Sequence, residues 1–179
     1  ILRMLFKTNG QAVLFATISP VQNNQIGEKL PQNYTFSQFE DSAQQLNQIN
    51  LLFPHCGEFQ VGIFCKHKSE EGNQFQGGIT YRVFVDDAPF SEITSFPTPF
   101  ASFLDLNCFI ESPLQNPLKL GQKYRVRIRV QNAEKVAIVL NNLWSYFEKG
   151  EDWIWELDLD VKDRLEHKCY VKMENDSNF

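Results

Sequence analysis

The sequence lacks features that several large classes of protein require. It has no surplus of positive charge, because 22 acidic residues outnumber 17 basic ones and the net charge is −5, whereas phosphate backbones are bound by concentrated Lys and Arg. It also has no apolar run of about 18 residues, the length that a membrane-spanning helix needs. We therefore expect neither nucleic acid nor a membrane as a partner.

Cysteine is scarce as well, with four residues in the chain, far below the density of a small secreted domain held together by disulfides. They are Cys56, Cys65, Cys108 and Cys169. We predict reduced thiols and a cytoplasmic protein; the alternative is secretion, in which case Asn33 and Asn175 lie in glycosylation sequons. Because the chain begins with Ile1 rather than Met, we expect it to be a processed product or part of a longer protein.

Apolar and polar residues alternate with a period of two in many segments, which is typical of half-buried β-strands. The clearest cases are 58–67, 79–85, 124–130 and 152–161. Helical periodicity is weak throughout, and 39–51 is interpreted as a loop that leads into a strand. Turn residues recur about every ten positions, a spacing typical of β-sandwiches. The sequence therefore predicts an all-β protein.

Two stretches of the chain follow the same order of strands, turns and acidic patches, one over 2–67 and the other over 126–173. We interpret them as two related modules, covering 1–88 and 108–179. The segment between them, 89–107, contains prolines and phenylalanines, so we predict a packed linker that fixes the angle between the modules.

Two segments carry a resemblance to a known family. They are the phrase Phe-Pro-His-Cys-Gly-Glu-Phe-Gln-Val-Gly-Ile-Phe at 53–64 and the phrase Pro-Leu-Lys-Leu-Gly-Gln-Lys-Tyr-Arg-Val-Arg at 117–127. Both are similar to strand ends and turns in the immunoglobulin-like modules of the kyphoscoliosis peptidase and hillarin family, where tandem modules follow a transglutaminase-like domain. The resemblance implies two tandem immunoglobulin-like β-sandwich modules.

The resemblance also implies a function. It suggests a structural or protein-interaction region of a larger transglutaminase-like or cytoskeleton-associated protein, with the parent transglutaminase-like domain or a cytoskeletal protein as partner. A transglutaminase-like nucleophile sits at the start of a helix, and no cysteine here has such a context. We therefore expect no enzymatic activity from this chain.

Both predicted modules lack one strand. The first has no obvious strand before Leu2, and the second has no clear final strand after Met173. Either the chain is a fragment, or a neighbour supplies the missing strands by pairing with a sheet edge.

Charged residues form two rows that we expect to face each other on antiparallel strands. The basic row is Arg125, Arg127 and Arg129, and the acidic row is Glu156, Asp158 and Asp160. Opposite charges across strands contribute about 0.2–1 kcal/mol each when exposed. We favour a solvated charge ladder over a docking face, and keep the three arginines as candidate binding residues.

Three tryptophans raise the alternative of a carbohydrate-binding module in a secreted protein, because exposed aromatic rings stack on sugars. Trp153 and Trp155 share the alternation of Leu157 and Leu159, which predicts that both are packed in the core. Trp144 lies beside two asparagines in a predicted turn, so it is the candidate for an exposed binding residue.

Cysteine and histidine also raise the possibilities of a metal site and of a cysteine hydrolase. An extended 59–67 segment would separate His55 and Cys56 from Cys65 and His67 by roughly 25–30 Å, so we predict no metal and no cofactor. For a hydrolase, Cys56 beside His55 or Cys108 would be the nucleophile. Adjacent side chains on an extended segment point to opposite faces, which argues against the first pair. A triad that uses Asp105 and His167 would depend on tertiary contacts.

Overall fold

The computed structural model describes residues 1–8, 12–41, 45–70, 75–87, 95–99, 102–140, 143–161 and 167–173. These residues form fourteen β-strands, a 3-10 turn at Gln32–Tyr34 and a single helical turn, α1, at Ser102–Asp105. Every pair of hydrogen-bonded strands is antiparallel. The prediction of an all-β protein is therefore confirmed.

The chain divides into two compact units. Unit 1 comprises Ile1–Asp105 together with Gln115–Pro117, and unit 2 comprises Leu106–Leu114 together with Leu118–Phe179. The boundaries inferred from sequence, with a linker over 89–107, stay a prediction, since 88–94, 100 and 101 lie outside the described residues.

Unit 1 contains seven of the described strands in two antiparallel sheets. In chain order they are β1 (Leu2–Lys7), β2 (Ala12–Gln22), β3 (Gln25–Ile26), β4 (Thr35–Asp41), β5 (Leu46–Leu51), β6 (Gly57–His67) and β7 (Gln76–Val85). One sheet has the order β1-β5-β4, and the other has the order β3-β2-β6-β7.

Alternating side chains of both sheets build the core of unit 1. The buried cluster consists of Leu14, Ala16, Ile18, Ile49, Leu51, Phe59, Val61 and Ile63, which come from β2, β5 and β6. The rings of Phe53 and Phe59 add an aromatic contact at 5.0 Å. Full burial of each large apolar side chain contributes roughly 1.5–3 kcal/mol. Two sheets that share one core give unit 1 a sandwich-like character.

The other face of the β1-β5-β4 sheet is covered in part by aromatic residues that follow β7. The rings of Phe96 and Phe103 lie 6.0 Å and 5.6 Å from that of Phe36 on β4, and Phe96 is fully buried. Polar side chains of β5 are buried on this sheet, where Gln48 donates a 2.9 Å hydrogen bond to Asn50. This face of the sheet is therefore buried along β4 and β5.

Unit 2 contains the remaining seven strands, again in two antiparallel sheets. They are β8 (Phe109–Ser112), β9 (Lys123–Arg129), β10 (Ala133–Leu140), β11 (Leu143–Tyr146), β12 (Glu148–Lys149), β13 (Ile154–Asp160) and β14 (His167–Met173). The sheet orders are β12-β13-β9-β8 and β11-β10-β14.

The buried residues of unit 2 follow the predicted alternation on β9 and on most of β13. Val126 and Ile128 are buried on β9, and Trp155 and Leu159 on β13. The indole Nε1 of Trp155 donates a 3.3 Å hydrogen bond to the Val130 carbonyl, which satisfies its polar group inside the core.

The prediction that Trp153 packs in the core is wrong. Asp152 and Trp153 both have positive φ angles, 52° and 62°, and β13 begins only at Ile154. A left-handed backbone interrupts the period of two, so the alternation does not extend back to Trp153. Trp153 is 37% exposed, and the centre of its ring lies 4.5 Å from Lys149 Nζ, a cation–π contact.

Candidate functional site

The three candidate arginines lie on one strand of unit 2, next to the strand that carries the acidic row. Strands β9 and β13 are antiparallel neighbours, with Arg125 opposite Asp158 and Arg127 opposite Glu156. This register confirms that the two charged rows face each other. The correspondence is partial, because Arg129 lies opposite Ile154 and Asp160 lies opposite Lys123.

The closest charge contacts centre on Glu156. Arg125 donates a 2.7 Å hydrogen bond to its carboxylate, and Arg127 Nε lies 2.8 Å from the second carboxylate oxygen. The Arg127 contact is an ion pair without the alignment of a hydrogen bond. Arg125 also reaches Asp158 at 3.5 Å. Glu156 is therefore shared by two cations.

Glu111 on β8 is a member of the ladder that sequence reasoning missed. Its carboxylate lies 3.2 Å from Arg127 and 3.3 Å from Arg129, and the guanidinium of Arg129 lies over the ring of Phe109 at 4.8 Å. A register shift between Ile110 and Ser112 places Glu111 at an irregularity of the β8–β9 ladder. The alternation of apolar and polar residues that would predict this strand is weak, since β8 has only four residues.

These contacts shift two pKa values in the directions that favour charge. The hydrogen bond from Arg125, with smaller contributions from the charges of Arg125 and Arg127, lowers the pKa of Glu156 below its ordinary value of 4.5, although partial desolvation acts in the opposite direction. The same hydrogen bond to Glu156, assisted by the charges of Glu156 and Asp158, raises the pKa of Arg125. Both groups are in contact with solvent, so water and salt screen the interaction.

Each of the three arginines has an acidic partner within its own sheet. This arrangement connects β8, β9 and β13 through side chains. Arg125 retains the largest exposed fraction, at 59% of its side chain. A docking role for Arg125, Arg127 and Arg129 stays a prediction.

Trp144 lies on β11, the edge strand of its sheet, rather than in the predicted turn. It is 45% exposed, and its ring lies 6.4 Å from that of Tyr146 with an interplanar angle of 21°. Tyr146 is 55% exposed. Two nearly parallel aromatic rings therefore face solvent on one edge strand, and Tyr146 was not singled out from the sequence.

The three cysteines whose side chains the structure describes are reduced thiols. Cys56 is exposed, Cys65 is half-buried and Cys108 is buried. His55 Nδ1 lies 2.8 Å from the Cys56 carbonyl oxygen, so this ring nitrogen donates to the backbone rather than contacting sulfur. Burial of Cys108 keeps its thiol away from substrate-sized molecules. The side chains of Asp105, His167 and Cys169 lie outside the described residues.

The described part of the chain brings no three His, Cys, Asp or Glu side chains into an arrangement that could hold a metal ion. Within the same residues, no helix has the length and apolar character needed to span a membrane.

Comparison with known proteins gives no family assignment. No protein-family model matches this chain, and no curated protein matches it at a significant level.

Proposed function

We propose that this chain is a non-catalytic pair of immunoglobulin-like modules that binds or positions a protein partner, as part of a larger transglutaminase-like or cytoskeleton-associated protein. The proposal combines the resemblance at 53–64 and 117–127 with the strand order of the two units.

The observation that carries the proposal is an equivalence between the strand orders. The arrangement β1-β5-β4 in unit 1 matches β9-β13-β12 in unit 2, and β3-β2-β6 matches β11-β10-β14. Six consecutive strands, β1–β6, thus occupy the same places as β9–β14. Each unit has one further strand, which is β7 beside β6 in unit 1 and β8 beside β9 in unit 2.

This shared order supports an immunoglobulin-like sandwich in each unit. Such domains place strands A, B, E and D in one sheet and C, F and G in the other, with an added C′ strand next to C in some members. With β8 as strand A, the sheets of unit 2 read A-B-E-D and C′-C-F. With β1 as strand B, those of unit 1 read B-E-D and C′-C-F-G.

Apolar side chains at sheet edges support a binding role. Phe84 is 69% exposed on β7, which is the edge strand of its sheet, and the Trp144–Tyr146 pair is exposed on β11. Exposed aromatic residues are enriched at protein–protein interfaces, and a sheet edge can pair with another strand.

A binding experiment tests the proposal. The 179-residue chain is mixed with a recombinant transglutaminase-like domain of the resembling family and, separately, with cytoskeletal filaments, and complexes are measured by sedimentation and by lysine-directed cross-linking. Saturable binding to one of them, weakened by Phe84→Ser or Trp144→Ala, is expected. Hydrolysis of a peptide or ester substrate that disappears in Cys56→Ser would contradict the non-catalytic assignment. Absence of binding to both partners would contradict the binding role.

A second candidate function is carbohydrate binding, which the parallel, exposed rings of Trp144 and Tyr146 favour. Such a surface would stack on the apolar face of a pyranose ring. A glycan array followed by calorimetry would test it, with Trp144→Ala abolishing binding. Trp153→Ala is the matched control, because Trp153 is also exposed but its ring is occupied by Lys149.

A further inference from the structure

Strand β7 forms one edge of the β3-β2-β6-β7 sheet, and no described strand pairs with its other side. Its ten residues make it the longest edge strand that the structure describes. It contains neither Lys nor Pro, residues with which natural edge strands prevent pairing with another strand. The register shift of the β6–β7 ladder lies before Ile79, so 79–85 is regular. Strand β7 is therefore suited to accept a further strand.

Hydrogen bonds at the opposite edge of the sheet fix the alternation of its backbone groups. Gly27 N–H donates to the Pro20 carbonyl at 2.8 Å, and Leu30 N–H donates to the Ile18 carbonyl at 2.7 Å. Ile18 and Pro20 thus direct their backbone groups away from β6. Because such residues alternate along a strand with residues that bond to the other neighbour, Ser19 directs its groups to β6.

The alternation continues across β6 to β7. Ser19 is paired with Gln60, so Gln60 bonds to β2 and the next residue, Val61, bonds to β7. Val61 is paired with Tyr81, which makes Tyr81 an inward residue of β7. Its neighbours along the strand direct their backbone N–H and C=O groups outward. These outward residues are Thr80, Arg82 and Phe84, and we call their backbone groups the outer edge of β7.

The side chains of β7 differ between its two faces. On the outer face, Phe84 is 69% exposed, and Arg82 donates a 2.6 Å hydrogen bond to Glu58 while its side chain stays 40% exposed. On the core side, Tyr81, Val83 and Val85 pack against the core cluster but are only half-buried. One face thus presents a cation and an aromatic ring, and the other presents an apolar row that a further strand would cover.

This pattern is complementary to itself. In an antiparallel pair of two β7 strands with a two-fold axis at Val83, Arg82 lies opposite Phe84 of the second copy, which is the arrangement of a cation–π contact. The symmetry repeats this contact, and about four main-chain hydrogen bonds form between the outward residues. On the core side Val83 meets its own copy, and Tyr81 lies opposite Val85 of the second copy.

Other positions of the two-fold axis are less favourable. An axis at Arg82 places two guanidinium groups directly opposite each other, and like charges in that position are destabilising. An axis at Tyr81 places Phe84 opposite Gly78 and loses its contact with Arg82. An axis at Phe84 keeps only Val83–Val85 of β7 within the pair. The axis at Val83 therefore combines the longest pairing with complementary side chains.

We propose that two copies of this chain associate through the outer edges of their β7 strands, antiparallel and with the two-fold axis at Val83. The association joins two four-stranded sheets into one of eight strands. The second copy is the occupant because the spacing of Arg82 and Phe84 makes β7 complementary to itself. The inference is independent of the proposed function, since it uses the geometry of β7 alone.

Sedimentation velocity of the 179-residue chain from about 10 µM to about 1 mM tests for the dimer, a range suited to a small interface. Phe84→Arg places like charges opposite each other and is expected to raise the dissociation constant at least about tenfold. Ile26→Arg is the matched control, because Ile26 is 53% exposed on β3, the opposite edge strand of the same sheet. A chain that stays monomeric, or equal weakening by both substitutions, would overturn the proposal.

Mixing two variants tests the register. Arg82→Glu and Phe84→Arg are each expected to self-associate weakly, with circular dichroism showing that both remain folded. In the mixture, the carboxylate introduced at position 82 faces the guanidinium introduced at position 84, and the other pair keeps its cation–π contact. The mixture should therefore dimerise within about tenfold of the unsubstituted chain. A mixture no better than either variant alone would contradict the pairing of 82 with 84.

Disulfide cross-linking locates the axis. Val83→Cys places a thiol opposite its own copy, at the Cα separation of about 4.5 Å that suits a disulfide. Val85→Cys is the matched control on the same face of β7, because position 85 faces Tyr81 of the second copy. Both variants also carry Cys56→Ser, which removes the exposed native thiol. Only Val83→Cys is expected to form covalent dimers on mild oxidation, and equal cross-linking of both, or of neither, would overturn the axis.

Failure of this proposal is distinguishable from failure of the proposed function. A monomeric chain whose Phe84→Arg variant loses binding to the transglutaminase-like domain or to filaments would assign β7 to that partner and overturn the second copy as its occupant. Dimerisation without binding to either partner would leave this inference intact and contradict the proposed function.

Discussion

Arg125 on β9 makes its shortest contact, 2.7 Å, with Glu156, which lies diagonally across on β13, rather than with Asp158, the residue directly opposite. Because Glu156 also contacts Arg127, one carboxylate is shared by two cations. The diagonal contact links β9 to β13 in the observed register. It also makes the stability that the charge ladder contributes depend on pH.

Stability is expected to fall on the acid side through Glu156. Its folded-state pKa lies below the ordinary 4.5, so the unfolded chain binds the proton more readily and stability rises with pH between the two values. The contribution is therefore complete at neutral pH and is lost as pH falls through the lowered pKa. The free energy of unfolding, measured in urea from about pH 7 to about pH 3, should fall less steeply with decreasing pH in Glu156→Gln than in the wild type.

Asp158→Asn is the control for that experiment. The side chain of Asp158 is 79% exposed and lies 3.5 Å from Arg125. Its replacement should therefore change the pH dependence of the free energy of unfolding less than Glu156→Gln does. If the two variants have the same pH profile, Glu156 is not the centre of the ladder.

Glu111 is expected to hold β8 in place. Glu111→Gln weakens the contacts to Arg127 and Arg129, each worth about 0.2–1 kcal/mol, so the expected cost is roughly 0.5–2 kcal/mol. Amide hydrogen exchange within Phe109–Ser112 should accelerate more than exchange in β13. Glu28→Gln, in an exposed loop of unit 1, should change neither quantity, and a similar effect of both substitutions would contradict the role of Glu111.

The core of unit 1 depends on Phe59, which is completely buried in a cluster contributed by both sheets. Phe59→Ala should lower the free energy of unfolding by about 3–5 kcal/mol, because it removes apolar contacts and leaves a cavity. Phe84→Ala deletes a ring of the same size at an exposed position and should change stability by about 0.5 kcal/mol or less. Equal losses in urea unfolding would refute the assignment of Phe59 to the core.

Thiol reactivity is expected to follow burial. Cys56 is exposed and Cys108 is buried, so Ellman's reagent should react rapidly with Cys56 in the native protein and with Cys108 only after unfolding. The fast phase should disappear in Cys56→Ser. Thiols that become reactive only after reduction would instead support disulfides and the secreted alternative.

The pairing of the charged rows could be predicted because long strands display their period of two without ambiguity. The segments 124–130 and 152–161 each alternate over several residues, and the expected immunoglobulin-like strand order predicts that they are neighbours. The observed register agrees. Local pattern and topology together were sufficient for this part of the site.

The remaining features depend on information that is not local. Glu111 lies at an irregularity of a four-residue strand, where it contacts the arginines of the ladder. Trp153 lies outside the core because Asp152 and Trp153 both have positive φ angles. The weak periodicity of 39–51 predicts a loop that leads into a strand, yet β4 extends to Asp41 and β5 begins at Leu46. Gln48 and Asn50 of this segment are buried on a sheet that Phe96 helps to cover, and Phe96 belongs to a distant part of the chain.

The equivalence of the two units is the observation on which the proposed function depends most directly, and close contacts between backbone protons of neighbouring strands, measured by NMR, test it. The strand orders predict that β5 contacts both β1 and β4, and that β13 contacts both β9 and β12. Direct pairing of β1 with β4, or of β9 with β12, would contradict the account.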